Sequence, residues 1–349
     1  MRALTVEPGK AGSAAIRELP DPAPAAGELL VEGVALGVCG TDREIAAGGY
    51  GWAPPGRDHL VLGHESLGRV REAPAGSEFT PGDLVVGVVR RPDPVPCGAC
   101  AHGAFDMCRN GRYTERGIKH LDGYGSRLWT VETGYAVKLD ARLDAAGVLM
   151  EPTTVVAKAW EQVEKVGARS WFEPRRALIT GAGPIGLLAA MLGVRRGLEV
   201  HVLDKVTSGP KKDAAEALGA RYHSSSVTDV AAKAKPDVII EATGVSSVVF
   251  EAMAGTAAYG VVCLTGVSPA GRRITVDAGA LNREIVLEND AVVGSVNANL
   301  SHYAAAADAL LAADPAWLAR LITRRVPLAR FADALESHPD DIKVVLDLQ

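Results

Sequence analysis

The strongest constraint in the 349-residue sequence is a glycine-rich run, Gly181-Ala182-Gly183-Pro184-Ile185-Gly186, set between two segments of different character. RALIT (176–180) stands before it and reads as a short buried strand. Ile185 to Arg196 follows and reads as a helix that Gly197 stops. In such a turn the first glycine permits a tight bend and the second lets the backbone approach a pyrophosphate. The third allows close helix–strand packing. Phosphates at this place meet the positive end of the helix dipole. A second strand, EVHVLD (199–204), ends in an acid, Asp204. A helix, KKDAAEALGA (211–220), and two further strands, PDVIIEATG (236–244) and GVVCLTGV (260–267), continue the alternation. That order predicts an α/β unit with a doubly wound parallel sheet. The motif alone is weak. With its strand, helix, second strand and acid it predicts a dinucleotide site formed by Gly181, Gly183, Pro184, Ile185, Gly186 and Asp204.

Asp204 is placed to accept hydrogen bonds from the adenosine ribose hydroxyls, which favours NAD. A 2′-phosphate would meet its charge unfavourably. Lys205 follows at once and is able to offset that repulsion, so NADP stays the alternative.

Residues 1 to about 150 are different. Short β-type runs, ELLVEGVALGV (28–38), SLGRVREA (66–73) and DLVVGVVR (83–90), are separated by turn signals such as PAPAAG. They predict an all-β, barrel-like unit. From Glu151 to Gly167 the chain reads as one helix or two short ones. The last fifty residues carry helical periodicity over Tyr303 to Ala312 and end in a strand-like KVVLDL (343–348). The length suits two domains. The net charge of −5 gives no basic surface for nucleic acid. No apolar run approaches the roughly 18 residues of a membrane span. The N-terminal MRALTVEPGK lacks a secretory h-region, so the expected location is the cytosol.

Five cysteines, Cys39, Cys97, Cys100, Cys108 and Cys263, make an odd count that argues against a disulfide framework. Three of them lie within twelve residues, which points to metal. Cys39-Gly40-Thr41-Asp42 follows an apolar strand, and Gly63-His64-Glu65 comes twenty-odd residues later. Cys, His and carboxylate are ligand types zinc accepts, and a catalytic zinc uses three plus an open position. Beside a nicotinamide, such an ion polarises an alcohol or carbonyl oxygen.

These residues, with the later glycine turn, resemble the zinc-dependent medium-chain alcohol dehydrogenase family over essentially the whole chain. CGTDREI (39–45), DHLVLGHESLG (58–68), Arg90-Arg91-Pro92, ERGI (115–118), Gly123-Tyr124 and Glu151-Pro152 are similar to its glucose dehydrogenase branch. The resemblance implies a GroES-like β-barrel catalytic domain over 1–154 and 298–349. It implies a Rossmann domain over 155–297. It implies a catalytic zinc held by Cys39, His64 and Glu151, with Glu65 as an exchanging or adjacent carboxylate. Asp42 would orient the His64 imidazole. Thr41 would relay the substrate proton. Cys97-x₂-Cys100-x₇-Cys108 is similar to the family's structural-zinc lobe, with Pro94 where a first cysteine would stand. Either Asp93 completes a second zinc site or the lobe has lost its metal. Repulsion among three close thiolates favours bound zinc. The resemblance also assigns Lys205, Thr243 and Asn297 to the cofactor, and Glu115, Glu151 and Asn297 to the substrate.

The implied reaction is hydride transfer between NAD(P) and a secondary alcohol of a sugar, modified sugar or cyclitol. The alternatives are glucose 1-dehydrogenase proper, a simple alcohol dehydrogenase, or a redox-inactive dinucleotide-binding protein. Val89, Val155 and Leu287 stand where sugar-specific relatives carry polar groups. Three apolar replacements in one pocket would leave hydroxyls unpartnered at about 1–3 kcal/mol each. That expectation points away from glucose. Relatives imply a dimer or tetramer.

Overall fold

The computed structural model describes residues 1–269, 271 and 273–349. They form two compact units, Met1–Thr154 with Asn297–Gln349, and Val155–Val296. Asn297, assigned above to the middle segment, belongs to the first unit.

The first unit is built on a seven-stranded sheet. Its order is Ala136–Leu139, Leu84–Gly87, Glu65–Glu72, Glu28–Val38, Lys343–Asp347 and Ile322–Pro327, with Leu128–Glu132 also paired to Glu28–Val38. The 11-residue strand Glu28–Val38 organises the rest. Leu128–Glu132 pairs with its first half, Lys343–Asp347 with its second, and Glu65–Glu72 along its other edge. Covered from both sides, it buries nearly every residue, which is why its sequence is apolar rather than alternating. Leu29, Val31, Leu36, Val70, Val85, Trp129 and Leu346 meet in the core beneath it. This sheet brings residue 343 beside residue 38, so the chain's end helps to build the site that its beginning starts.

The second unit is a six-stranded sheet, all parallel, in the order Arg221–His223, Glu199–Leu203, Arg176–Thr180, Val238–Glu241, Val261–Leu264, Ala291–Gly294. The order reverses at Arg176–Thr180, the switch point at which such sheets bind ligands beyond their carboxyl ends. The helix Pro184–Arg195 follows that central strand, as expected.

Met150–Gly167 is one helix, the first of the two readings of that segment. Other elements differ from expectation. The run 83–90 forms the strand Leu84–Gly87, and Arg90–Arg91 pairs separately with Thr114–Arg116. The strands Arg221–His223 and Ala291–Gly294 had no reading, because three or four residues show no period. Among the described residues no helix is long and apolar enough to cross a membrane.

Candidate active site

Cys39 ends the long strand and caps the helix Gly40–Ala46. Its Sγ accepts the Thr41 amide at 3.2 Å, while the Asp42 carboxylate accepts the Cys39 amide at 2.9 Å. This reciprocal cap fixes the thiol's direction and buries Asp42. His64 comes from the connection just before the neighbouring strand Glu65–Glu72, directly after Gly63, whose φ of +95° suits glycine. Its Nε2 lies 3.1 Å from the Cys39 Sγ. Its Nδ1 faces Asp42 Oδ1 at 3.4 Å. Glu65 stands opposite Gly37 in the sheet, where a Cβ on Gly37 would come within 1.9 Å of the carboxylate. Glycine there leaves the room that Glu65 fills.

Donor atoms of Cys39, His64 and Glu65 lie within 4.8 Å of one another. Asp42 Oδ1 and His64 Nδ1 are buried and have no hydrogen-bond partner. A soft thiolate, an imidazole and a carboxylate within 4.8 Å of one another, beside the unsatisfied Asp42 Oδ1 and His64 Nδ1, fit zinc. Burial by itself would lower the His64 pKa, but the Cys39 thiolate and the Asp42 carboxylate outweigh it and hold it well above 6.5.

Glu151, the expected third ligand, is not in this group; Glu65 is. Burial pushes Glu151 up to about 7, opposed by His64 and Lys343 and aided by Glu65 and Asp42. A residue that the sequence did not reveal holds Glu65. Lys343 Nζ lies 2.7 and 2.6 Å from its two oxygens, with the side chains 1% and 2% exposed. The signal was there: one lysine heading the apolar run KVVLDL, at a position a strand would bury.

Cys97, Cys100 and Cys108 form a second donor group within 4.8 Å, and the five cysteines are free. The Arg109 amide on its sulfur, with the Cys100 group, lowers the Cys97 thiol to about 6. Asp93 does not join them. Its carboxylate accepts from the Val95 amide at 2.8 Å and from Arg112 Nε at 3.1 Å. Asp93, expected as a possible fourth ligand, therefore stands outside the present donor group.

Glu115 and Asn297 do meet, the Asn297 amide donating to Glu115 Oε1 at 2.6 Å. Arg90 donates to the same oxygen through Nε at 3.1 Å and Nη2 at 2.9 Å. Val89 lies in the hydrophobic core of the first unit. Val155 and Leu287 are in the second unit, Leu287 exposed on the helix Ala278–Glu288.

In the second unit Gly181 has φ +92°, and its amide donates to Leu203 O at 2.7 Å. Gly186 approaches so closely that a Cβ would sit 1.7 Å from Gly181 O. Around Gly183, which caps the helix, a Cβ would meet nothing within 4 Å. The turn thus offers an open backbone face at a helix start led by Pro184 and Ile185, as a pyrophosphate requires. Asp204 accepts the Ala182 amide at 2.7 Å and the Val206 amide at 3.2 Å, and Lys205 beside it is exposed. Thr243 borders the turn from the next strand, its Cγ2 3.0 Å from a Cβ on Gly181. Its amide and hydroxyl donate to the buried Glu241 carboxylate.

Known proteins resemble this chain over its whole length. Residues 25–141 match the alcohol dehydrogenase GroES-like domain, and residues 144–348 match the glucose dehydrogenase C-terminus. Glucose 1-dehydrogenase of Methanocella arvoryzae is 40% identical over 357 residues, covering 100% of this chain and 99% of that protein. Glucose 1-dehydrogenase of Thermoproteus tenax is 40% identical over 355 residues, covering 100% of both. The solved structure of Haloferax mediterranei glucose dehydrogenase in complex with NADP, Zn and gluconolactone aligns with a TM-score of 0.92 at 35% identity, covering 100% of this chain and 99% of that one.

Proposed function

The chain belongs to the zinc-dependent medium-chain alcohol dehydrogenase family, in its glucose dehydrogenase branch, and on that premise we propose that it oxidises the anomeric C1 hydroxyl of glucose or a closely similar aldose. It is an NAD(P)- and zinc-dependent dehydrogenase acting on CH–OH donors. The observation that carries the proposal is the Cys39–His64–Glu65 donor group, backed by Asp42, in a chain that matches glucose dehydrogenases end to end. The gluconolactone of the Haloferax structure supports C1 as the reacting carbon.

Cys39 and His64 hold the zinc, with a carboxylate of Glu151 or Glu65 as third donor. The ion supplies Lewis acidity to the reacting hydroxyl. Asp42, whose Oδ1 faces His64 Nδ1 at 3.4 Å, would orient the imidazole so that Nε2 turns to the ion. Thr41, on the first helical turn, carries the hydroxyl proton away. Glu115 and Asn297 bind the sugar's other hydroxyls and fix which carbon reacts. A bound dinucleotide would supply the hydride acceptor at its nicotinamide C4, so that loss of the C1 hydride and of the O1 proton would turn the sugar into the lactone. Gly181, Gly183 and Gly186 admit the pyrophosphate, and Asp204 accepts from the ribose hydroxyls. The carboxylate of Asp204 favours NAD over the NADP of the Haloferax complex.

The test is a panel of aldoses, polyols, cyclitols and simple alcohols, each offered with NAD and with NADP and followed at the reduced nicotinamide band. Glucose or another aldose should give the highest kcat/KM, and NAD the higher of the two cofactors. A cyclitol or a simple alcohol in first place rejects the reading.

A further inference from the structure

The first unit holds a chain of hydrogen bonds that neither the donor groups nor the glycine turn accounts for. It begins in the three-cysteine lobe. Asp106 lies between Cys100 and Cys108 and is buried. Its main-chain oxygen accepts from Arg90 Nη1 at 2.8 Å, and its Oδ1 accepts from Asn299 Nδ2 at 2.8 Å. The remaining face of the Arg90 guanidinium grips Glu115 Oε1 through two nitrogens. Asn297 reaches that same oxygen. Arg90 is 5% exposed and stacks on the Tyr113 ring at 3.8 Å.

Two asparagines two residues apart therefore donate to two buried carboxylates of the first unit, and Arg90 joins the Glu115 carboxylate to the main-chain oxygen of Asp106. Three donors converge on Oε1 of Glu115, so its orientation is set by the network rather than by the strand that carries it. Asn297 has φ +63°, a left-handed backbone that an asparagine tolerates and that needs local bonds to hold it. Asn299 supplies one fixed end of that bend. It caps the helix Leu300–Leu311 through its Oδ1 while its Nδ2 bonds Asp106.

We propose that Arg90 and Asp106 are positioning residues for the sugar, forming with Asn299 a latch through which the three-cysteine lobe fixes Glu115 and Asn297. The inference rests on the reading of Glu115 and Asn297 as sugar-binding residues. Its consequence is a division of labour. Opening the latch weakens sugar binding and leaves the cofactor turn, in the other unit's own sheet, untouched.

Asn299→Ser opens it selectively, because serine still caps the helix but is too short to reach Asp106. Steady-state kinetics with the best aldose should show KM raised about tenfold, the low end of the worth of one buried hydrogen bond to a charged group, with kcat within about threefold. Dissociation of the dinucleotide, followed by fluorescence, should not change. Asp106→Ala should match Asn299→Ser, and the double variant should be no worse than either. Asp106→Asn, whose amide oxygen still accepts, should recover most of the affinity. Glu115→Gln is the control for the underlying reading. If Glu115→Gln leaves the sugar KM unchanged, the assignment of Glu115 fails. If Glu115→Gln raises KM while Asn299→Ser and Asp106→Ala do not, Glu115 stands and the latch is wrong. Equal loss of sugar and dinucleotide affinity in Asn299→Ser overturns the latch as well, since it marks a general loss of structure.

Discussion

Glu65 and Glu151 offer the same chemistry to the ion, but their surroundings separate them. Both oxygens of Glu65 are engaged by Lys343, so its charge is already compensated. Glu151 is pushed up to about 7 by burial, Glu65 and Asp42, against the pull of His64 and Lys343. A divalent cation would relieve Glu151 more than the already compensated Glu65, and on that ground we propose Glu151 as the third ligand, although Glu65 stands in the present donor group and Glu151 outside it. To ligate, Glu151 must lose its proton, so zinc affinity should fall as pH drops below about 7. His64, held well above 6.5, adds a further proton loss at higher pH. In chelator competition Glu151→Gln should weaken zinc binding by about tenfold or more, one net charge-assisted bond, and remove the step near neutrality. Glu65→Gln should keep more zinc affinity but lose about 3–5 kcal/mol of stability, because Lys343 remains buried without its anion. The reverse pattern would make Glu65 the ligand. Sequence alone named both acids. It did not reveal Lys343, whose partner is 278 residues away.

At the scale of elements, legibility followed burial and backbone demand. The strands Glu28–Val38 and Arg176–Thr180 match their sequence readings because continuous apolar runs bounded by turns leave little choice. The turn was equally plain, since its glycines do work no other residue can. Gly186 is the strictest case. A methyl there would meet a backbone oxygen at 1.7 Å, and neither the strand nor the helix can give way cheaply. Gly186→Ala should lower stability by at least about 2 kcal/mol, read as a fall in the thermal midpoint, and should weaken dinucleotide binding. An alanine variant with unchanged midpoint and cofactor affinity would mean that the helix start is not packed as described. Val89 shows the opposite limit. Its sequence neighbours placed it in a substrate pocket, and the direction of one side chain placed it in the core.

For the molecule as a whole, the chain forms two compact units, each with its own core. The first gathers the metal donors and the Glu115–Asn297 pair, and needs the C-terminal strand Lys343–Asp347 to complete its sheet. The second carries the glycine turn. Alternation of strand and helix made the second unit readable. The return of the last fifty residues to the first unit was legible only through the family resemblance, because pairing of Val38 with Val344 leaves no local mark. The account comes together in one measurement: transfer of deuterium from glucose labelled at C1. The zinc-loaded protein should deliver the label to C4 of the nicotinamide and yield the lactone, and the zinc-stripped protein should deliver none until zinc is restored. Label retained on the sugar while the cofactor is reduced, or transfer undiminished without zinc, would contradict it.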